Sequence, residues 1–245
     1  MTYLCLDFGN SRQKAAWFSN GVLEGESLLE PASLTVRVKE LVGRHSPDGI
    51  ILSSVIDHPE EIDTFLAAQP FFIRLDADTP LPFHNAYETP RSLGPDRLAL
   101  AAAAQRYYPG QHNLVIALGS CITFNFLTGD GVFLGGSIAP GLQMRFRAMH
   151  AFTGRLPLLG PEEGYPLVGS DTRQSMLSGV LNGMRAELDG LIEQYREVYS
   201  NFNVLLTGGD MAYFAGRLKN KIFADLTLSY KGLHAILEFN AGRNG

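Results

Sequence analysis

The sequence predicts an α/β fold, because short apolar strands alternate with amphipathic helices along most of the chain. Residues 49–55 are predicted as a strand, because Ile50, Ile51 and Leu52 run together in a way that suits a strand covered on both faces. Helices are predicted on either side, at 31–44 and 57–68. A strand–turn–strand arrangement at the N-terminus recurs at residues 113–127. This recurrence indicates two related halves, although two hairpins with glycine turns can also resemble each other by chance.

The N-terminal hairpin is the first element. Residues 3–6 are apolar and strand-like, residues 14–18 form the returning strand, and the turn between them contains Asp7, Gly9 and Asn10. Glycine opens the backbone to unusual angles and lets a phosphate approach the main-chain N–H groups. By itself an Asp-x-Gly turn of this kind is a weak indication of a phosphate site, because ordinary hairpins contain it more often.

The remaining elements follow the same alternation. Proline-rich residues 76–93 are predicted as a long ordered loop, and Pro109-Gly110 separates the halves at 1–110 and 111–245. Glycines in the helical region predicted at 171–199 indicate either close packing against a neighbouring helix or a break near Gly190. Further strands are predicted at 21–28, 71–75, 131–138, 204–206 and 222–228, and further helices at 95–107, 140–151, 171–199, 211–218 and 233–239.

Composition excludes several classes of function. Hydrophobic residues make up 45% and charged residues 18% of the 245 residues, as in ordinary globular proteins. A net charge of −5 gives no support for a general nucleic-acid or membrane surface. Asp7 and Gly9 interrupt the N-terminal apolar run, so we expect no signal peptide, no membrane span and a cytoplasmic protein. Cys5 and Cys121 are expected to be reduced core residues.

Four motifs occur in order along the chain. They are Asp7-Phe8-Gly9-Asn10-Ser11-Arg12-Gln13-Lys14, the stretch from Tyr87 to Arg97 that ends in Gly94-Pro95-Asp96-Arg97, Gly135-Gly136-Ser137-Ile138-Ala139-Pro140-Gly141, and Leu206-Thr207-Gly208-Gly209-Asp210. Together they resemble the motifs of the type III pantothenate kinase family. The resemblance spans most of the chain and fits the length of the family.

The resemblance implies a particular fold and reaction. The fold is that of the superfamily of acetate and sugar kinases, heat-shock ATPases and actin, with two ribonuclease-H-like halves and a nucleotide cleft between them. The reaction is transfer of the γ-phosphoryl group of ATP to pantothenate, the first committed step toward coenzyme A. The implied cofactors are ATP, Mg²⁺ and a monovalent cation, either potassium or ammonium. The implied assembly is a homodimer.

The resemblance also assigns roles to residues. Asp96 is the implied catalytic base, because a positioned carboxylate can accept the proton of a poorly nucleophilic hydroxyl. Asp7 is the implied Mg²⁺ ligand. Thr172 would reach the pantothenate of the neighbouring subunit, but it could equally be only a helix cap. The other implied substrate residues are Tyr87, Gly94 and Arg97, and the nucleotide residues are Asp7, Gly9, Asn10, Ser11, Lys14, Gly119, Ser120, Thr123, Gly208 and Gly209.

One departure from the family pattern concerns the second turn. The family places an aspartate there that is associated with the monovalent cation, but this chain has Ala117, with Ser120 in place of the usual threonine. Loss of a carboxylate removes an effective ligand for a hard cation. Two alternatives therefore stay open beside the kinase: a catalytically weak homologue that binds nucleotide or pantothenate as a regulator, and a sugar or acetate kinase of the same superfamily.

Overall fold

The computed structural model describes residues 1–243. Its strands are β1 Thr2–Phe8, β2 Gln13–Ser19, β3 Val22–Leu29, β4 Gly49–Ser54, β5 Phe72–Arg74, β6 His84–Asn85, β7 His112–Leu118, β8 Cys121–Leu127, β9 Val132–Gly135, β10 Ile138–Pro140, β11 Phe202–Thr207 and β12 Phe223–Ala224. Its helices are α1 Leu34–His45, α2 Glu60–Ala67, α3 Pro95–Tyr107, α4 Leu142–Ala151, α5 Thr172–Val198, α6 Met211–Phe214 and α7 Leu228–Ala241. The alternation confirms the mixed α/β class.

The chain forms two compact units. The first comprises Met1–Gly110, Leu127–Gly135 and Thr227–Gly245, and the second comprises Gln111–Phe126 and Gly136–Leu226. This division differs from a single boundary after residue 110, because α7 returns to pack on β1, β2 and β4 of the first unit.

The first unit is built on a five-stranded sheet in the order β3-β2-β1-β4-β5. Strand β1 is antiparallel to β2 and parallel to β4. One face of this sheet packs against α1 and α2 through a buried core that includes Leu6, Phe8, Val38 and Leu66. Because side chains alternate along a strand, Cys5 and Asp7 lie on the opposite face, which α7 covers.

Helices α3 and α7 approach each other closely in the first unit. A Cβ atom at Gly232 of α7 would overlap the carbonyl oxygen of Ala99 in α3. The facing part of α3 is a buried run of alanines that includes Ala101, Ala102 and Ala103. Small side chains on both helices therefore bring the two backbones together.

The second unit repeats the central pattern of the first. Strand β7 lies between β8 and the parallel strand β11, and β12 continues the sheet beside β11. The same sequence of buried and half-buried positions occurs along β1 and β7. Helices α4, α5 and α6 cover the core with residues such as Phe146, Leu181 and Phe214. The recurrence predicted from the two hairpins is thus present in the structure.

Several predicted elements have different bounds. The strand expected at 131–138 is two strands, β9 and β10, because Gly135 and Gly136 take φ angles of 99° and 145° that break it. Helix α5 is continuous at Gly190, and a Cβ there would meet no atom within 4 Å, so neither a break nor close packing within this chain explains that glycine. The helix predicted at 233–239 begins earlier, at Leu228, and the strand predicted at 222–228 shrinks to β12.

The free energy of unfolding should change in opposite directions for two glycine substitutions, one inside the contact between α3 and α7 and one outside it. Gly232→Ala should lower the free energy of unfolding by about 1–3 kcal/mol, because the new methyl group has no space. The control is Gly43→Ala in α1, where a Cβ meets nothing within 4 Å, and it should raise stability by about 0.5–1 kcal/mol. Urea unfolding measures both variants, and equal effects would contradict the close packing.

Candidate active site

The N-terminal turn places Asp7 and Lys14 side by side. The two residues are paired in the register of β1 and β2, so their side chains share one face of the sheet. The turn is closed by hydrogen bonds from Gly9 N to Arg12 O at 3.1 Å and from Gln13 Nε2 to Gly9 O at 3.0 Å. Gly9 does not adopt a positive φ angle. Glycine suits this position because a Cβ would lie 3.2 Å from Arg12 O.

Asp7 lies in an unusual electrostatic environment. Burial raises its pKa to about 6, with a smaller upward contribution from the carboxylate of Asp96. Lys14 and a hydrogen bond from Ser229 act in the opposite direction and favour the charged form. Tyr230 also belongs to this group, since Lys14 Nζ lies 5.9 Å from the centre of its ring. The start of α7 therefore completes the surroundings of Asp7.

Asp96 stands in the first turn of α3. Backbone N–H groups of that turn donate to its carboxylate, but burial is the largest effect and raises its pKa. A Cβ at Gly94 would overlap Oδ1 of Asp96, so glycine leaves the carboxylate the space that it occupies. Asp96 lies in the same unit as Asp7, and its charge contributes to the raised pKa of Asp7.

Arg97, the next residue, is only 4% exposed. Its guanidinium carbon lies 5.7 Å from the ring centre of Tyr87 and 5.9 Å from that of Phe133. These distances suit cation–π contacts, which hold a guanidinium group in a fixed orientation. Gly135 supports the arrangement, because a Cβ there would lie 2.9 Å from the Tyr87 ring. The structure thus brings Tyr87, Gly94, Asp96 and Arg97 together.

The glycine-rich turns of the second unit also meet one another. Gly119 N donates to Cys121 O at 3.0 Å, and Gly141 N donates to Ser120 O at 3.1 Å. Gly208, with φ of 99°, packs so closely on Leu118 that a Cβ would overlap its backbone. Gly119, Ser120, Gly208 and Gly209 therefore lie at one edge of the sheet, where β7 and β11 end.

Thr123 and Asn125 lie deeper in the second unit. Both side chains are buried, and the amide of Asn125 donates to Thr123 Oγ1 at 3.0 Å and to Val115 O at 3.2 Å. The bond to Val115 O connects β8 with β7, whereas the bond to Thr123 lies within β8. In this arrangement Thr123 acts as a hydrogen-bond acceptor within the sheet.

Thr172 is the first residue of α5, and it is exposed. The helix cap is Asp171, whose carboxylate accepts a hydrogen bond from Gln174 N at 2.7 Å. The interpretation of Thr172 as the cap is therefore wrong. Thr172 instead lines an open groove of about 580 Å³ together with Met149, Leu156 and Met176.

Ala117 occupies the position in β7 that Asp7 occupies in β1. Each is the half-buried sixth residue of its strand, and each is paired with a hydroxyl residue on the adjacent parallel strand. Asp7 is in register with Ser53, and Ala117 is in register with Thr207. The two units therefore differ in charge at this position: the first carries the carboxylate of Asp7, and the second carries the uncharged Ala117.

The oxygen-bearing side chains near Asp7 suit Mg²⁺, which takes only one or two ligands from protein. They do not suit a metal that is coordinated entirely by protein side chains. Residues 1–243 contain no group of three or more His, Cys, Asp or Glu residues arranged to bind a metal. Mg²⁺ commonly uses one or two carboxylates and takes its remaining ligands from water and substrate phosphates. Asp7 supplies such a carboxylate, and the Ser53 hydroxyl on the adjacent strand is buried without a hydrogen-bond partner among the described residues.

In the part of the chain that the structure describes, no helix combines the length and apolar character needed to cross a bilayer.

Known structures share this architecture. A Baf family protein of Campylobacter jejuni superposes with a TM-score of 0.63 at 22% identity, covering 98% of this chain and 99% of that one. The ROK hexokinase of Thermus thermophilus gives a TM-score of 0.54 at 14% identity and covers both chains fully, at 100%. At these identities the likeness shows the fold, which is the two-domain α/β fold found in sugar kinases.

Sequence comparison is more specific. The family model for type III pantothenate kinase matches residues 3–194. A type III pantothenate kinase of Christiangramia forsetii is 40% identical over 238 residues, covering 97% of this chain and 98% of the relative. The chain belongs to the type III pantothenate kinase family, and it is an enzyme of the kinase class.

Several neighbours of the predicted site residues were not identified from the sequence. Ser229 and Tyr230 reach Asp7 and Lys14 from a helix that begins more than two hundred residues later in the chain. Phe133 completes the aromatic surroundings of Arg97. The only sequence signal for Phe133 is its place just before Gly135-Gly136, and no local pattern marks Ser229 or Tyr230.

The raised pKa of Asp7 predicts a stabilising substitution. The native carboxyl keeps its proton up to about pH 6, whereas an unfolded aspartate loses it near 3.8, so stability falls as the pH rises between these values. Above that range the penalty is about 3 kcal/mol. Asp7→Asn cannot ionise and should raise Tm at pH 8, with a gain that disappears near pH 3.5.

Thermal unfolding in EDTA without nucleotide measures this effect, because a bound cation would favour the charged carboxylate. Asp57→Asn, at an exposed position, controls for the change in net charge. A variant at Asp7 that is no more stable than the parent protein at pH 8 would contradict the electrostatic description.

Proposed function

We propose that this protein transfers the γ-phosphoryl group of ATP to the terminal hydroxyl of pantothenate and so makes 4′-phosphopantothenate, the first step of coenzyme A biosynthesis. Membership in the type III pantothenate kinase family supports this reaction. The observation that carries it is that Asp7, Asp96 and Arg97 lie in one unit, where the Asp96 carboxylate raises the pKa of Asp7 and the Arg97 guanidinium lies near the Tyr87 ring. We assign these residues the roles of metal ligand, base and substrate-binding cation.

Asp96 is proposed as the catalytic base. A primary alcohol attacks phosphorus poorly unless a nearby group accepts its proton as the P–O bond forms. Burial raises the pKa of Asp96 and makes it a better proton acceptor than an exposed aspartate. The space left by Gly94 allows the carboxylate to stay in this position.

Pantothenate is proposed to bind at the start of α3. The guanidinium of Arg97, held near Tyr87 and Phe133, can donate two hydrogen bonds to a carboxylate or to amide oxygens. Thr172, at the exposed start of α5, is proposed to contact the pantothenate bound by a neighbouring subunit.

ATP is proposed to bind through the glycine-rich turns. Gly9, Asn10, Ser11 and Lys14 would surround the phosphates in the first unit, where Lys14 supplies positive charge beside Asp7. When bound, Mg²⁺ would lie at Asp7 and neutralise charge on the phosphate oxygens. The residues proposed for the second unit are Gly119, Ser120, Thr123, Gly208 and Gly209.

We propose a homodimer in the cytoplasm. Exposed apolar side chains lie in and after α4, including Phe152, which is 87% exposed, and Leu158, Leu167 and Val168. A second copy of the chain would cover this surface. Both cysteines are free, which suits a reducing compartment.

A coupled assay for ADP release tests the reaction. We expect ADP release that depends on pantothenate and is absent with glucose or acetate. Because Ala117 leaves no carboxylate at the position equivalent to Asp7, we expect little change when potassium is replaced by a large organic cation. Activity on glucose or acetate would favour the sugar or acetate kinase, and binding without turnover would favour the regulatory homologue.

The same assay tests Asp96. Asp96→Asn should lower kcat by about a hundredfold or more, because the amide cannot accept the proton. Pantothenate affinity, measured by calorimetry, should be nearly unchanged. A nearly normal rate would remove Asp96 from the role of base.

A further inference from the structure

Ser53 is a buried hydroxyl residue that has no role in the site described so far. It is 1% exposed, and its Oγ has no hydrogen-bond partner among residues 1–243. Leaving a buried hydroxyl unpaired costs about 1–3 kcal/mol, so native proteins rarely keep one without a reason.

The position of Ser53 suggests that reason. Its Cα is in register with that of Asp7 on the adjacent parallel strand, and residues paired in this way point their side chains to the same face. That face is covered by α7, whose Ser229 donates to the Asp7 carboxylate. The Ser53 hydroxyl therefore lies next to the carboxylate that is proposed to hold Mg²⁺.

The internal repeat provides an independent observation. The residue of the second unit that corresponds to Ser53 is Thr207, which is in register with Ala117. Both positions carry a buried hydroxyl at the end of a parallel strand. Thr207 comes directly before Gly208-Gly209, so a buried hydroxyl recurs near the carboxyl end of the corresponding strand in each unit.

We propose that Ser53 is a further residue of the metal site, whose hydroxyl bonds to water in the hydration shell of the Mg²⁺ held by Asp7. This inference rests on the proposed function. Mg²⁺ keeps several of its waters when it binds to protein, and those waters need acceptors and donors around them. Ser53 supplies one such group on the strand adjacent to Asp7, and it would orient the shell without touching the ion.

Two serines on the same strand allow a matched test. Ser53→Ala removes the unpaired hydroxyl. Ser54→Ala removes a hydroxyl on the opposite face, which donates to Ile56 O at 2.9 Å and lies 3.1 Å from Nδ1 of His58. The full-length parent protein and both variants are titrated with Mn²⁺ in the presence of ADP, and free Mn²⁺ is counted by electron paramagnetic resonance. Tm of each protein is measured without metal.

We expect Ser53→Ala to raise the Kd for Mn²⁺ about tenfold, as is typical when a residue of the outer coordination shell is lost, while Tm stays equal or rises. Ser54→Ala should lower Tm and leave the Kd unchanged, because its bonds are internal to the fold. Unchanged Mn²⁺ affinity in Ser53→Ala would overturn the inference, as would a loss of Tm with no change in affinity.

The titration separates this inference from the proposed function. A parent protein that phosphorylates pantothenate but shows no effect of Ser53→Ala on Mn²⁺ binding would overturn only the role of Ser53. A parent protein that binds no Mn²⁺ with ADP would overturn both.

Discussion

The close contact between α3 and α7 is the constraint on which the candidate site depends. Gly232 allows the two backbones to meet at Ala99, and no larger residue fits there. The start of α3 carries Asp96, and the start of α7 carries Ser229 and Tyr230. Packing both helices on one unit brings these residues to Asp7 and Lys14 of the first hairpin. A helix contact made of small residues thus helps to position Asp96 and Ser229 relative to Asp7.

Charge is distributed unequally over the internal repeat. Strands β1 and β7 share the same order of buried and half-buried positions, but Asp7 in one corresponds to Ala117 in the other. The first unit concentrates two acids, Asp7 and Asp96, beside one lysine, and burial raises the pKa of both acids. Two neighbouring carboxylates that are partly withheld from water favour a cation beside them. These two carboxylates are the observation that supports the proposal of a metal in the first unit.

The sequence predicted those parts of the fold that depend on local pattern. The hairpin around Asp7 and Gly9, the helix beginning at Pro95 and the apolar strand β4 follow directly from periodicity and turn residues. The break at Gly135-Gly136 was missed because it depends on two positive φ angles that glycine permits but does not require. Ser53 and Ser229 could not be identified either, because their proximity to Asp7 arises from strand register and helix packing between distant segments.

Motifs therefore identified the family and proposed the reacting groups, whereas packing revealed what surrounds them. The most direct measurement is a crystal structure of the protein with pantothenate, Mg²⁺ and a non-hydrolysable ATP analogue. The account predicts the terminal hydroxyl of pantothenate within about 2.6–3.2 Å of the Asp96 carboxylate, with the carboxylate end of pantothenate or its amide at Arg97. A hydroxyl that faces another base, with Asp96 directed away from the substrate, would contradict it.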